Sequence, residues 1–244
     1  MRYRNTFCIA GTDPDVGKTV VTSALLRSFA SKGFATRGIK PGQTGCLNLV
    51  SMTVSPDVEV YREACPDCQA LALECLVPAC SPHLAARMDK RLLSVEGLVE
   101  KLDAAIADQA GVTLIEGAGG LYVPLNEHQY IITLFQALRV PVVLVAANRL
   151  GVLNHLLLSL EALRTNGIPL GGVVLTMNRQ NGEGLEPAIA KDNLEYVTRL
   201  AGIPSVVNLD YIHALHACGA EAENSAWDSL AFQLSPLVDA LLDI

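Results

Sequence analysis

The sequence has few charged residues and no excess of basic ones. Only 18% of its 244 residues are charged, and the 25 Asp and Glu outnumber the 18 Lys and Arg, which gives a formal net charge of -7. Broad binding to nucleic acid or to an anionic membrane surface needs a basic face, so the composition argues against both. Half of the residues are hydrophobic, which is typical of compact globular proteins rather than disordered or fibrous ones.

Long hydrophobic runs are also missing. No run approaches the roughly 20 apolar residues of a membrane span, and the first ten residues lack the hydrophobic region of a signal peptide. No internal repeat or linker interrupts the chain. We therefore expect a cytoplasmic protein in which residues 1–244 form a single α/β domain.

The seven cysteines do not complete a metal-binding motif. Two residues separate Cys65 from Cys68, as in half of a zinc site, but no second C-x-x-C or H-x-x-x-H pair accompanies them. Cys75 and Cys80 lie nearby in the sequence. We expect free thiols in a helix and a loop, and a bound metal is the alternative.

Short apolar runs alternate with amphipathic stretches, a pattern typical of βα units around a parallel sheet. The apolar runs are partly β-branched, as in strands covered on both faces, and predict strands at residues 6–10, 34–39, 112–115, 141–147 and 171–176. Helices are predicted at residues 19–30, 95–106 (capped by Ser94 and ended by Gly111), 153–163, 187–200 and from the cap-like Ser225 onward, with an interruption at Pro236. The predicted fold is a three-layer sandwich of a parallel sheet with helices on both faces.

A glycine-bounded loop, G-T-D-P-D-V-G-K-T, links the first predicted strand to the first predicted helix. Backbone N–H groups and the helix dipole at a helix N-terminus favour bound phosphate. Lys18 would neutralise the β and γ phosphates, and the Thr19 hydroxyl would ligate Mg²⁺. Five residues separate Gly11 from Gly17, one more than is usual. A structural glycine-rich turn is the alternative, but we predict a variant phosphate loop that binds a nucleoside triphosphate, in a P-loop NTPase-like fold.

Two further clusters supply the other groups that a phosphate site needs. Glu116 follows the predicted strand 112–115, and the glycines after it let the backbone approach a ligand. Lys40 and Thr44, in G-I-K-P-G-Q-T-G, follow the second strand at the sheet edge where ligands bind in open α/β folds. The alternatives are a capping or solvated carboxylate and a solvated lysine.

These three clusters, in this order, resemble the dethiobiotin synthetase family. The family patterns G-T-D-x-x-V-G-K-T, K-P-x-x-[ST]-G, P-x-x-S-P-H and E-G-A-G-G followed by Pro-Leu are matched at residues 11–19, 40–45, 78–83 and 116–125. The likeness extends from about Phe7 to Tyr196. It implies that CO₂ is joined to an amine of diaminopelargonic acid, that the γ-phosphate of ATP activates the carbamate, and that the second amine closes the ureido ring of dethiobiotin during biotin synthesis.

The resemblance also implies a role for individual residues. Lys18, Lys40 and Thr44 would be the catalytic groups, and Thr19, Asp57 and Glu116 would ligate Mg²⁺. ATP would be bound by Asp13, Asp15, Val16, Gly17, Lys18, Thr19, Val20 and Asn178. Diaminopelargonic acid and CO₂ would be bound by Thr12, Lys40, Thr44, Gly119, Val152, Leu153, Asn154 and Tyr196.

Some of these residues have a second interpretation. Without the resemblance, the alternative for Asp57 is a carboxylate in the first turn of a helix. Asn154 and Tyr196 would be an ordinary cap and a half-buried helix residue. In the family, the group around Val152 and Asn154 and the tyrosine come from the second subunit, so a homodimer with its substrate site at the interface is implied.

The chain departs from the family pattern in two places. The family commonly has Ile-Pro or Leu-Pro after the last strand, where this chain has residues 208–211, N-L-D-Y. The base selectivity therefore stays open. The segment from His213 onward matches no part of the pattern, and its two histidines are expected to be solvated.

Two other protein classes share this kind of loop. A cobyrinate-type amidotransferase would need a glutaminase domain with a nucleophilic cysteine, for which the chain has no room. A partition-type switch ATPase carries the loop K-G-G-x-G-K-T, with an extra lysine where this chain has Asp13.

Overall fold

The structure is a computed structural model that describes residues 3–49, 53–107, 111–177, 186–211 and 224–244. Strands and helices alternate along these ranges. The strands are β1 Thr6–Gly11, β2 Thr36–Lys40, β3 Gln43–Thr44, β4 Leu47–Asn48, β5 Thr53–Val54, β6 Gln69–Ala72, β7 Cys75–Leu76, β8 Val112–Gly120, β9 Val142–Ala147, β10 Leu170–Thr176 and β11 Val206–Leu209. The helices are α1 Lys18–Ser31, α2 Pro56–Ala64, α3 Pro82–Met88, α4 Val95–Ala105, α5 Ile131–Leu138, α6 Val152–Thr165, α7 Pro187–Thr198, α8 Asn224–Gln233 and α9 Ser235–Leu242.

The main sheet is parallel throughout. Its seven strands lie in the order β11-β10-β9-β1-β8-β2-β6. β3 pairs with β7 and β4 with β5 outside this sheet. Because parallel strands end at the same edge, the loops after β1 and β2 and the end of β8 meet there.

Successive residues on the central strands enter two separate cores. On β1, Cys8 and Ala10 belong to one core, while Phe7 and Ile9 belong to the other. Helices α3 to α7 pack on the first core, and α1, α2, α8 and α9 pack on the second around the buried Trp227. Both sheet faces are therefore covered by helices, which confirms the predicted three-layer sandwich.

Several predicted element ends move by a few residues. Ser94 caps α4 as predicted, since its side chain accepts a hydrogen bond from the Gly97 N–H. The helix ends at Ala105, however, and Gly111 does not terminate it. Gly111 has φ 72° and leads into β8, and a Cβ there would collide with the Ala35 carbonyl.

The C-terminal helices also differ slightly from the prediction. Ser225 lies inside α8 rather than capping it, because the described part of that helix begins at Asn224. Pro236 does interrupt the helical run, and a new helix, α9, begins at Ser235. Among the described helices, none combines the length and apolar character that crossing a membrane requires.

Candidate active site

The loop between β1 and α1 is held in place by the neighbouring strands. The Thr176 hydroxyl at the end of β10 donates to the Val16 carbonyl at 2.8 Å, and the Thr12 N–H donates to the Val145 carbonyl at 2.9 Å. Gly17 precedes α1 with φ 90°, a conformation that favours glycine. The loop therefore presents the N-terminus of α1 at the carboxyl edge of the sheet, as the sequence predicts.

Lys18 folds back over this loop. Its Nζ donates to the Asp13 carbonyl at 3.0 Å, and the residue is only 7% exposed. A Cβ on Gly11 would lie 2.8 Å from that Nζ, so the glycine makes room for the ammonium group. Burial lowers the pKa of Lys18 to about 8, with the Glu116 carboxylate opposing and the Lys40 ammonium adding to the shift. A bound anion would raise the pKa of Lys18 again, because an opposite charge favours the protonated form.

A compact charge cluster lies beside the loop. Lys40 Nζ is 2.5 Å from an Asp57 carboxylate oxygen and 2.7 Å from Glu116 Oε1. The Thr19 hydroxyl donates to the same Glu116 oxygen at 3.0 Å, and the Tyr61 hydroxyl donates to Glu116 Oε2 at 2.5 Å. Two carboxylates thus contact one buried cation, and two hydroxyls donate to the Glu116 carboxylate.

Both members of the central ion pair are charged although they are buried. Burial alone would raise the pKa of Glu116, but the Lys40 ammonium and the Tyr61 hydroxyl hold it below its usual value. Burial alone would lower the pKa of Lys40, but Glu116 and Asp57 raise it. A lysine whose neighbours favour its charged form, in the lining of a pocket, is suited to binding phosphate.

The pocket above this cluster has a volume of about 530 Å³. It contains most of the residues that the sequence singles out, and its lining consists of Pro14, Asp15, Gly17, Lys18, Thr19, Val20, Lys40, Gly42, Gln43, Thr44, Asp57, Glu116, Ala118 and Gly119. Asp57 lies in the first turn of α2, as its alternative interpretation predicts, and its carboxylate contacts Lys40. Glu116 lies inside β8 rather than after a strand that ends at residue 115, because pairing with β1 continues to Gly120.

A second cavity of about 540 Å³ adjoins the other side of the loop. Thr12 and Asp13 line it, together with Tyr122 and the α6 residue Leu158. Val16 is buried under the loop instead of facing either cavity. Asn178 lies outside the described residues.

The predicted carboxylate-binding group lies apart from both cavities. Val152, Leu153 and Asn154 form the first turn of α6, after Gly151 with φ 90°. Tyr196 is on α7 and is 41% exposed. None of these four predicted residues lines either cavity of this chain.

The structure adds residues that the sequence does not single out. Tyr61 lies one helical turn after Asp57 on α2, and that spacing is a signal that could have found it. Arg149, after β9, contacts the Asp13 carboxylate at 2.8 Å. Gln43 donates to the Thr44 carbonyl at 2.9 Å. The Arg149 and Gln43 contacts have no local sequence signal.

The described cysteines are all free thiols. Cys65 and Cys68 lie in the turn after α2, Cys75 lies on β7, and Cys80 lies in the loop before α3. No three His, Cys, Asp or Glu side chains within the described ranges converge as a metal site. The pocket above the charge cluster contains two carboxylates, those of Asp57 and Glu116, and the hydroxyl of Thr19.

Comparisons with known proteins bear on the family and the fold. A family model described as an AAA domain matches residues 5–218. The chain is 35% identical to the ATP-dependent dethiobiotin synthetase BioD of Cellvibrio japonicus, over 97% of this chain and 99% of that protein. It is 36% identical to the protein of the same name from Chromohalobacter salexigens, over 82% of this chain and 86% of that protein.

Among solved structures, the septum site-determining protein MinD of Pyrococcus horikoshii, in complex with Mg-ADP, superposes with a TM-score of 0.59. The match covers 98% of this chain and 99% of that chain at 13% identity, so it shows the fold alone. The extensive identity to the two synthetases confirms the resemblance read from the sequence motifs. The chain belongs to the family of ATP-dependent dethiobiotin synthetases.

Proposed function

We propose that this chain forms dethiobiotin from diaminopelargonic acid, CO₂ and ATP, releasing ADP and phosphate. The observation that carries the proposal is the buried Lys40, held by Asp57 and Glu116 beside the Lys18 of a phosphate loop. The reaction moves a phosphoryl group onto a carbamate. Because both partners are anionic, they approach only where positive charge is concentrated.

The residues of the loop would bind the triphosphate. Gly17 and the first residues of α1 line the pocket, and a helix N-terminus attracts phosphate. Lys18 would keep its proton once phosphate replaces the solvent lost on burial. Asp15 and Val20 line the same pocket and would contact the nucleoside side of ATP, together with Asn178.

The residues present fit a bound Mg²⁺. This ion takes oxygen ligands and needs few of them from protein. Thr19, Asp57 and Glu116 offer a hydroxyl and two carboxylates, since the Thr19 hydroxyl contacts Glu116 and Lys40 contacts both carboxylates. When bound, Mg²⁺ supplies charge neutralisation to the phosphate oxygens. Tyr61 would keep the Glu116 carboxylate oriented, because its hydroxyl already contacts the opposite oxygen.

Lys40 and Thr44 would hold the carbamate against the γ-phosphate. Both line the pocket, and Gly119 lies on the same wall with φ 63°. Lys40 would turn from its carboxylate partners toward the anionic carbamate and neutralise charge that develops during transfer. After transfer, closing the ureido ring needs mainly proximity of the second amine, which a fixed substrate chain provides.

A homodimer would complete the substrate site. Apolar side chains are exposed on α6 and on the segment before it, where Leu150 is 92% and Leu158 64% exposed. Exposed apolar groups of this kind support an interface. Leu158 also lines the cavity that contains Thr12, so a second subunit placed there could bring its Asn154 and Tyr196 to the substrate carboxylate.

Product identification tests the function directly. The protein would be incubated with ATP, Mg²⁺, isotopically labelled bicarbonate and diaminopelargonic acid, and the products would be separated by mass spectrometry. We expect one labelled carbon in dethiobiotin and ADP release that requires both the diamine and bicarbonate. Equal ADP release without either of them, or stimulation by DNA, would instead indicate a switch ATPase.

A further inference from the structure

Cys65 and Cys68, which the proposed reaction does not use, form a pair at the end of α2. The Cys68 N–H donates to the Cys65 carbonyl at 3.0 Å and closes a turn with Pro66 in its second position. Such a turn holds its first and fourth Cα atoms within about 7 Å, and a disulfide spans Cα separations of about 4.4–6.8 Å. The backbone therefore already brings the two cysteines within the range of a disulfide.

The two thiols contact each other and neighbouring polar groups. Cys65 Sγ is 3.6 Å from the Thr36 hydroxyl, and Cys68 Sγ is 3.6 Å from the Tyr61 carbonyl oxygen. The side-chain contact with Cys68 lowers the pKa of Cys65 to about 6, and the reciprocal contact raises the pKa of Cys68. One thiolate next to one protonated thiol is the starting state of a C-x-x-C redox pair.

The pair lies close to solvent. Cys65 is 5% and Cys68 9% exposed, but the two residues between them, Pro66 and Asp67, are exposed. The Arg27 guanidinium binds the Ala64 carbonyl beside the turn and adds positive charge that favours a thiolate. A small reagent therefore needs only a local movement of this exposed turn to reach the sulfurs.

We propose that Cys65 and Cys68 are a redox-active dithiol that small-molecule disulfides oxidise to an intramolecular disulfide. The Cys65 thiolate attacks one sulfur of the added disulfide, forms a mixed disulfide and expels the other half as a thiolate. Cys68 then loses its proton and attacks the Cys65 sulfur, expelling the second half. The two protein thiols lose two electrons, and the added disulfide gains them.

The site is tested with the whole protein and glutathione. Mixtures of glutathione disulfide and glutathione would be equilibrated with the protein, free thiols trapped with N-ethylmaleimide, and the chain cleaved after glutamate. The fragment 64–74 contains these two cysteines and no other. In oxidising mixtures we expect this fragment to carry no label and to have two hydrogens fewer than the dithiol, as a disulfide does. In reducing mixtures we expect it to carry two labels. Two labelled cysteines in every mixture would overturn the proposal.

Single variants identify the attacking sulfur. Cys68→Ser should stop at a mixed disulfide of glutathione on Cys65, whereas Cys65→Ser should leave Cys68 labelled and without glutathione. Cys80→Ser, outside the turn, should form the same disulfide as the unaltered protein. The reverse pattern, with glutathione on Cys68 alone, would overturn the assignment. The glutathione experiment on the unaltered protein tests the disulfide by itself, so its result stands even if a variant fails to fold.

Discussion

Lys18 is a buried cation, and without a bound ligand its ionisation makes the stability of the fold depend on pH. Its pKa is about 8 in the folded chain, against 10.5 for an ordinary lysine. Between these values the unfolded chain binds the proton and the folded chain does not, so stability rises with pH in this window. The folded chain without ligand therefore carries a penalty below about pH 8 that a bound anion would relieve.

We expect Lys18→Met to remove this pH dependence. Below pH 8 the variant should be at least as stable as the unaltered protein. As pH rises to 10.5, the free energy of unfolding of the unaltered protein should increase relative to that of the variant by on the order of 3 kcal/mol. Urea unfolding of both proteins across this range measures the shift. A difference that stays constant with pH would show that Lys18 is not desolvated in the free pocket.

Tyr61 matters at the residue scale because it satisfies one oxygen of a fully buried carboxylate. Tyr61→Phe leaves Glu116 Oε2 without that donor, which we expect to cost about 1–3 kcal/mol of the free energy of unfolding. Tyr122→Phe, at a tyrosine that is 58% exposed, is the matched control and should have little effect. Equal urea midpoints for the two variants would mean that Glu116 is held without Tyr61.

At the scale of elements, the sequence predicts the central strands well and the edges poorly. β1, β9 and β10 are recognisable because strands covered on both faces read as continuous apolar runs. The edge strands β6 and β11 escape prediction, since their sequences Q-A-L-A and V-V-N-L are short and only partly buried. β8 is predicted too short because its last residues are mostly glycine, which weakens any strand signal.

The candidate site likewise combines residues that have a local sequence signal with residues that have none. Lys18, Thr19 and Glu116 can be predicted because each belongs to a short motif in which a strand leads into a glycine-containing segment. Arg149 contacts Asp13 across 136 residues of sequence, so only the folded topology reveals the pair. Contacts of this kind depend on strand order, which local patterns do not encode.

The packing of α9 on β10 allows a test at the element scale. A Cβ on Gly172 would lie 2.5 Å from the Leu237 side chain and 3.0 Å from the Ser205 carbonyl oxygen. We therefore expect Gly172→Ala to lower the free energy of unfolding by about 1–3 kcal/mol through overpacking. The control is Gly42→Ala, where the nearest atom would be 4.0 Å away. Similar urea midpoints for the two variants would show that α9 can move to accept the extra methyl group without loss of stability.

At the scale of the whole molecule, a composite site predicts complementation between subunits. We expect Lys18→Ala and Tyr196→Ala each to lose most of the dethiobiotin formation, because they remove opposite halves of each site. After subunits are mixed and exchanged, heterodimers should contain one intact site and restore about a quarter of full activity. Each variant incubated alone under the same exchange conditions is the control. No recovery, with heterodimers demonstrated by native mass spectrometry, would contradict a shared site.

The central claim is that Lys18, Lys40 and the oxygens of Thr19, Asp57 and Glu116 form one triphosphate pocket. A crystal structure with Mg²⁺ and a non-hydrolysable ATP analogue tests it most directly. We expect the triphosphate to lie on the loop between β1 and α1 with Lys18 against it, and Mg²⁺ to be bound to Thr19, Asp57 and Glu116. A triphosphate located elsewhere, with Lys40 still paired to both carboxylates and no metal beside them, would contradict the claim.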